Sequence, residues 1–306
     1  MSYRRLALFV LPIALLLGLP SSGQAYITGI GDQQASMFAS PLFQALHPKI
    51  ARLIVAYDVM NDSRAVAATR DWLAAAKAQN IEPLVSFYHS QRTPTHIPSV
   101  HTYTDDVKKF IKAFPGVTEY QPWNEVNRGN VSAGPFKFHS PTAQQSAAFY
   151  DALLGVCSGC TVVGLDVLDS QHLSATLKYI SDFKKAVKHM PHLWGLHNYT
   201  DTNRFQNKTT RAVSAAVPGK LWLTETGGIV KFGHSFPNKH HSGEKRAAKA
   251  LSYMFKLANA NSKIDRLYIF QWTGSGPHVR FDAGLMNPNG SPRPGYFTVR
   301  KQLIGH

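Results

Sequence analysis

The chain has 306 residues, 44% of them hydrophobic, which is enough for a sizeable core. Lys and Arg number 33 against 18 Asp and Glu, a formal charge of +15; that balance favours acidic partners such as anionic glycans, cell-wall polymers or membrane surfaces. No nucleic-acid-binding motif accompanies the charge, and beyond the first residues no segment is long and apolar enough to span a bilayer.

Arg4 and Arg5 precede an apolar run from Leu6 to Leu19, followed by Pro20 and small residues up to Ala25. This reads as a secretory signal peptide over 1–25, because the run is short for a membrane span of about 20 residues. The mature part, 26–306, is then about 280 residues, a natural size for one (β/α)8 barrel. Export places it outside the cell or in a periplasm.

Strand-like runs follow at Tyr26–Gly31, Ile50–Tyr57, Glu82–Tyr88 and Glu119–Trp123, then at Thr161–Leu165, His192–Asn198, Lys220–Thr224 and Leu267–Trp272. Helical patterns lie between them at Ser63–Gln79, Thr104–Phe114, Thr142–Leu154, Ser170–His189 and Gly243–Ala260. A turn-rich loop from Asn287 to Tyr296 leads into a last helix. Strand then helix, repeated around eight strands, predicts a single-domain α/β TIM barrel. Cys157 and Cys160 are the only cysteines. Their spacing suits redox chemistry or half a zinc site in a cytosolic chain. In an exported chain it suits a local disulfide closing the turn before Thr161. The second half of a zinc site is missing, so no metal is expected.

In such a barrel the chemistry sits at the C-terminal ends of the strands. Two apolar runs end there in a glutamate: Gln121-Pro122-Trp123-Asn124-Glu125 and Leu221-Trp222-Leu223-Thr224-Glu225. A carboxylate at the tip of a buried strand is costly without a task or a partner. Two of them in one domain suggest the paired carboxylates of glycoside hydrolysis. Glu125 is the expected general acid/base, which calls for a raised pKa, and Glu225 the expected nucleophile. Other polar or aromatic residues at strand tips are Tyr57, Asp58, Tyr88, His89, Asp166, His197, Tyr199 and Trp272. Asp32 and His89 are weaker candidates for substrate contacts. The loop from Lys231 to His241 is basic and His-rich. It is expected over the cleft mouth, either as a subsite for an acidic sugar or as a solvated loop.

With these residues in this order, the chain resembles glycoside hydrolase clan A, the retaining barrel enzymes, and in general terms families 5, 39 and 128. The resemblance covers the whole mature part. It implies an Asn-Glu pair ending strand four, here Asn124-Glu125, and a second Glu ending strand seven, here Glu225. It also implies an Arg on strand two, here Arg52, a His or Tyr ending strand six, here His197 and Tyr199, and a Trp ending strand eight, here Trp272. The frequent Asn-Glu-Pro of the clan stands here as Asn124-Glu125-Val126, which loosens the family assignment rather than the mechanism. By resemblance Arg52 and Tyr199 partner Glu225, Asn124 bonds the sugar 2-hydroxyl, Trp272 floors the sugar, and His197 positions nucleophile or substrate.

The leading expectation is a secreted retaining glycosidase, endo-acting and monomeric, with a carbohydrate substrate that extends to acidic polysaccharide and with no cofactor. A barrel that binds polysaccharide without cutting it, and a transglycosylase using the same residues, stand beside it.

Overall fold

The computed structural model describes residues 26–134, 136–169, 172–276 and 278–305. The signal peptide expected over 1–25 lies outside the described residues. The first half of the chain runs β1 (Ile27–Gly31), α1 (Ser36–Ala39), α2 (Pro41–Gln44), β2 (Ile50–Ala56), α3 (Ser63–Ala78), β3 (Glu82–Tyr88), α4 (Val100–Ala113), β4 (Glu119–Gln121) and α5 (Ala143–Val156). It continues through β5 (Thr161–Val162), β6 (Asp166–Leu168), α6 (Leu173–Ala186), β7 (Leu193–His197), α7 (Tyr199–Asn203) and α8 (Lys208–Ala216). The last part holds β8 (Lys220–Thr226), β9 (Lys231–Phe232), α9 (Ser242–Asn259), β10 (Ile264–Phe270), β11 (Phe281–Asp282) and α10 (Pro294–Ile304).

One sheet carries the strands in the order β5-β4-β3-β2-β1-β10-β8-β7-β6, and every pair in it is parallel. Of the run predicted as Thr161–Leu165 only Thr161–Val162 is strand, as β5 on β4; the chain then bends and continues as β6 on β7, so that the fifth barrel strand is split in two. The bend closes the ring: the Val163 amide donates to Tyr120 O and the Gly164 amide to Leu193 O, each at 2.9 Å. Gly164 is needed here, since a Cβ would lie 2.4 Å from the Pro191 ring. Closure removes the sheet edges that would otherwise invite pairing with another chain.

Helix ends follow side-chain caps. Asp62 accepts from the Arg64 and Ala65 amides at the start of α3, and Thr142 and Gln145 form a capping box at α5. Ser99 caps α4, so that helix begins before the Thr104 expected from sequence. Apolar faces of the helices pack on the outside of the barrel, where Trp72, Phe87, Phe110, Phe149 and Phe183 are all fully buried. Inside the barrel a separate apolar layer holds Ile50, Leu84, Val163, Trp222 and Tyr268. Toward the C-terminal ends of the strands a set of buried polar side chains follows: Arg52, Gln121, Asp166, His197 and Thr224. Cys157 and Cys160 form a disulfide with a Cα separation of 5.6 Å, in the turn between α5 and β5.

Candidate active site

β4 stops at Gln121 because Pro122 has no amide hydrogen for the ladder. Trp123 is buried, with its ring 6.0 Å from Tyr57 and 5.5 Å from Phe149. The Asn124 amide donates to Phe87 O at 2.8 Å and the Val126 amide to Asp166 O at 3.0 Å. Glu125, held between these anchors, takes a left-handed conformation with φ of 49°. That conformation costs a non-glycine residue about 1–3 kcal/mol, and such strain clusters at functional sites. Glu225 stands near the end of β8, beside His197, where the β7–β8 register shifts; a bulge of this kind re-aims side chains at a barrel rim.

Arg52 ties the two glutamate segments together from below. Its Nε donates to Gln121 Oε1 at 2.8 Å and one terminal nitrogen to Glu225 Oε2 at 2.8 Å. The other terminal nitrogen donates to Asn124 Oδ1 at 2.6 Å and Asp166 Oδ2 at 2.9 Å. This fork geometry needs arginine; lysine is a point charge. Tyr199, first residue of α7, donates its hydroxyl to Glu225 Oε1 at 3.0 Å. Asp169 sets that turn by accepting the Thr200 and Asp201 amides at 2.9 and 2.8 Å. Burial pushes the Asp169 carboxyl up to about 7, although those amides pull the other way.

His197 is fully buried between carboxylates, with Nε2 3.0 Å from Asp166 Oδ2 and Nδ1 3.2 Å from Glu125 Oε1. Burial disfavours its charge, but Asp166 and Glu225 outweigh burial and the imidazole is raised to about 10. Asp166 is held down to about 2: its burial is overcome by His197, by Arg52 and by the Thr224 hydroxyl. Burial pushes Glu125 up as well, yet the His197 hydrogen bond and charge, with Arg128 beyond, hold it below the usual carboxylate value. The raised pKa expected for Glu125 from sequence is thus opposed by the His197 and Arg128 charges beside it. Arg128 has a terminal nitrogen 3.3 Å from Glu125 Oε2, and the same nitrogen donates to Tyr88 OH at 3.1 Å.

Both glutamates open into a cleft of about 490 Å³, which Asn124, Arg128, Asp169, Tyr199 and Arg204 also line. Its apolar wall is aromatic: Tyr88, Phe232, Phe236, Phe270 and Phe281. The loop after β8 supplies two of these rings. It is ordered by β9, which pairs antiparallel with β11, and by Arg246, which donates to Val230 O at 3.0 Å and Pro237 O at 3.1 Å. Lys239, His234, His240 and His241 stay exposed, and only Phe232, Ser235 and Phe236 of this loop line the cleft. Of this segment it is thus the aromatic rings, rather than the histidines and Lys239, that line the cleft.

Several expected contacts are not brought to the cleft. Trp272 packs in the core, its ring 5.4 Å from Phe43 and 6.0 Å from Tyr296, while Phe270 at the end of β10 takes the wall position. Asp32 is a clasp, accepting the Gln34 amide at 2.9 Å and the Thr273 amide at 2.8 Å. His89 donates through Nδ1 to Ser90 O at 3.0 Å and stacks 6.0 Å from Phe138. Arg52 and His197 are too deeply buried to meet a sugar and act on the carboxylates instead. Asp166 had a sequence signal, an acid after Val162–Leu165. Gln121, Thr224 and Arg128 had none.

Oxygens of Glu125 and Glu225 and a ring nitrogen of His197 lie within 4.8 Å of one another, a spacing that a metal ion could span. Both His197 nitrogens already face carboxylates and Arg52 already neutralises Glu225. A metal would need the imidazole deprotonated, so the donor set suits a shared proton rather than a cation.

No curated protein sequence matches the chain. Many solved structures match its fold. A family 39 glycoside hydrolase from the gut symbiont Bacteroides cellulosilyticus WH2 shares 15% identity at a TM-score of 0.55, over 90% of this chain and 63% of its own. The chain thus spans less than two thirds of that relative. GH5_18 from Streptomyces cattleya, solved in complex with GlcNAc, matches at 12% identity and a TM-score of 0.65, over 92% of this chain and 80% of its own. GH10 from Paenibacillus barcinonensis matches at 13% and 0.63, over 92% and 95%. At these identities the likeness is one of fold, the (β/α)8 barrel. The family profile described as glycosyl hydrolase catalytic core matches residues 122–296, more than half of the sequence and the part that contains both glutamates. The chain belongs to the glycosyl hydrolase catalytic core family.

Proposed function

We propose that the protein is a secreted, monomeric, retaining glycosidase that cuts β-linked poly- or oligosaccharide by double displacement, in an endo mode. The observation that carries this reading is the facing pair Glu125 and Glu225, with oxygens inside the 4.8 Å cluster around His197. Retaining enzymes hold their carboxyl groups about 5–5.5 Å apart, whereas inverting ones leave about 6.5–9.5 Å for a water.

Glu225 is the nucleophile. Arg52 and Tyr199 occupy its two oxygens and aim it upward. Glu125 is the acid/base. It and His197 share one proton across 3.2 Å, and their titration belongs to the pair. A sugar that covers Glu125 excludes water and shifts the proton from Nδ1 to Oε1, leaving His197 neutral. Glu225 then attacks the anomeric carbon as the glycosidic C–O bond breaks, and Glu125 gives its proton to the departing oxygen. In the second step a water attacks the same carbon, Glu125 takes its proton, and Glu225 leaves as carboxylate. Arg52 fixes Asn124 Oδ1, which leaves the Asn124 amide hydrogens to meet the 2-hydroxyl, a bond that strengthens in the transition state.

The test is hydrolysis of a panel of β-linked polysaccharides by wild type, Glu125→Ala and Glu225→Ala, with products read by mass and anomeric configuration. Both variants should lose activity. Azide should restore Glu125→Ala on substrates with a good leaving group, giving a glycosyl azide of retained configuration. An inverted wild-type product, or a wild type that binds polymer and cuts none, would end the reading.

A further inference from the structure

Two arginines line the cleft, and each has its guanidinium over a phenylalanine ring. The Arg128 guanidinium carbon is 4.4 Å from the centre of the Phe138 ring, and that of Arg204 is 5.9 Å from Phe236. Arg204, just after α7, makes no ion pair among the described residues. A guanidinium over a ring can still offer its N–H edge, and that edge matches a carboxylate with two parallel hydrogen bonds. Neutral sugars offer no such partner. The chain as a whole carries +15, a field that draws polyanions toward the cleft.

We infer that the substrate is a uronate-bearing β-glycan, with Arg204 and Arg128 binding carboxylates of its sugar units. The inference rests on the glycosidase reading and adds the substrate class to it. Arg204 offers an unoccupied site. Arg128 offers an exchange: its present partner is Glu125 Oε2, and a sugar carboxylate would draw it away. Glu125 would then lose one of the cations that keep it ionised and would take the proton from His197 more readily. Substrate charge and acid strength are coupled through this one guanidinium.

The experiment uses the full mature protein and β-linked polymers of glucuronate or mannuronate, each paired with its carboxyl-reduced counterpart. Cleavage is measured for wild type, Arg204→Met and Arg128→Met. Retention in affinity electrophoresis is measured with Glu225→Gln, alone and combined with Arg204→Met. Wild type should favour an acidic polymer over its reduced form by about tenfold to a hundredfold, the worth of one or two charge-assisted hydrogen bonds. Arg204→Met and Arg128→Met should each lower that ratio, and added salt should lower it. Equal or better cleavage of the reduced polymers would overturn the inference and leave the glycosidase reading standing. So would a preference that survives both arginine variants, or a preference for sulfated over carboxylated chains. If nothing is cut yet acidic polymer is retained, and Arg204→Met abolishes retention, the glycosidase reading fails and the carboxylate site stands. No cleavage and no retention would sink both.

Discussion

Arg52 shows how one buried side chain can organise a site without touching substrate. It satisfies Gln121, Asn124, Asp166 and Glu225 at once, and removing it would strand two carboxylates. Arg52→Met should cost about 3–5 kcal/mol in urea unfolding, the usual penalty for breaking a buried pair from one side. The His197 cluster makes stability depend on pH from both ends. His197 is raised from 6.5 to about 10, so its contribution is complete below pH 6.5 and is lost as pH rises through 10. Asp166 is lowered from 3.8 to about 2, so its contribution is complete above pH 3.8 and is lost as pH falls through 2. Thermal unfolding from pH 3 to 10 should therefore show a fall in Tm above pH 6.5 that His197→Asn flattens. An unchanged slope in that variant would mean that other groups set the alkaline limb. The glutamates and Asn124 could be read from sequence because each ends an apolar run. The proton on His197 could not, since it depends on carboxylates from three other strands.

At the scale of elements, close backbone approach decides what can sit in the barrel. Gly195 of β7 leaves room for the polar layer: a Cβ there would lie 2.7 Å from Asp166 Oδ1 and 2.9 Å from Gln121 Nε2. Gly195→Ala should cost about 1–3 kcal/mol, the range for overpacking, and should lower kcat by moving Asp166 under His197. Equilibrium unfolding beside steady-state kinetics checks both. The loop from β11 to α10 is held by Arg293, which bonds both oxygens of Asp282 at 2.8 and 2.9 Å and Gly284 O at 3.0 Å. Arg293→Ala should free that loop and shift the Phe281 wall of the cleft, raising KM before kcat. Strand and helix order was legible from periodicity and caps. The break in the fifth strand and the β9–β11 pair were not, because bending and loop pairing depend on neighbours distant in sequence.

The whole molecule separates its tasks by face. The βα loops carry the cleft, while αβ turns such as that of Cys157 and Cys160 lie at the opposite end and serve stability. So short a disulfide loop is worth about 2 kcal/mol in the chain-entropy model. The double variant Cys157→Ser, Cys160→Ser should lower Tm slightly and leave kcat/KM unchanged; a large loss of activity would show that the two faces are coupled. Among the described residues no helix is long and apolar enough to cross a membrane.

The sequence by itself determined the barrel and the order of its strands, because apolar periodicity and strand–helix alternation are local properties. It also determined which carboxylates stand at strand tips. Only the tertiary structure decided which of the tip residues meet. It put Phe270 rather than Trp272 on the wall, made Asp32 a clasp, and set Arg128 and Arg204 on their phenylalanines. Side-chain direction at a strand end depends on register, bulges and the packing of loops from elsewhere in the chain, and none of these is written in the local pattern.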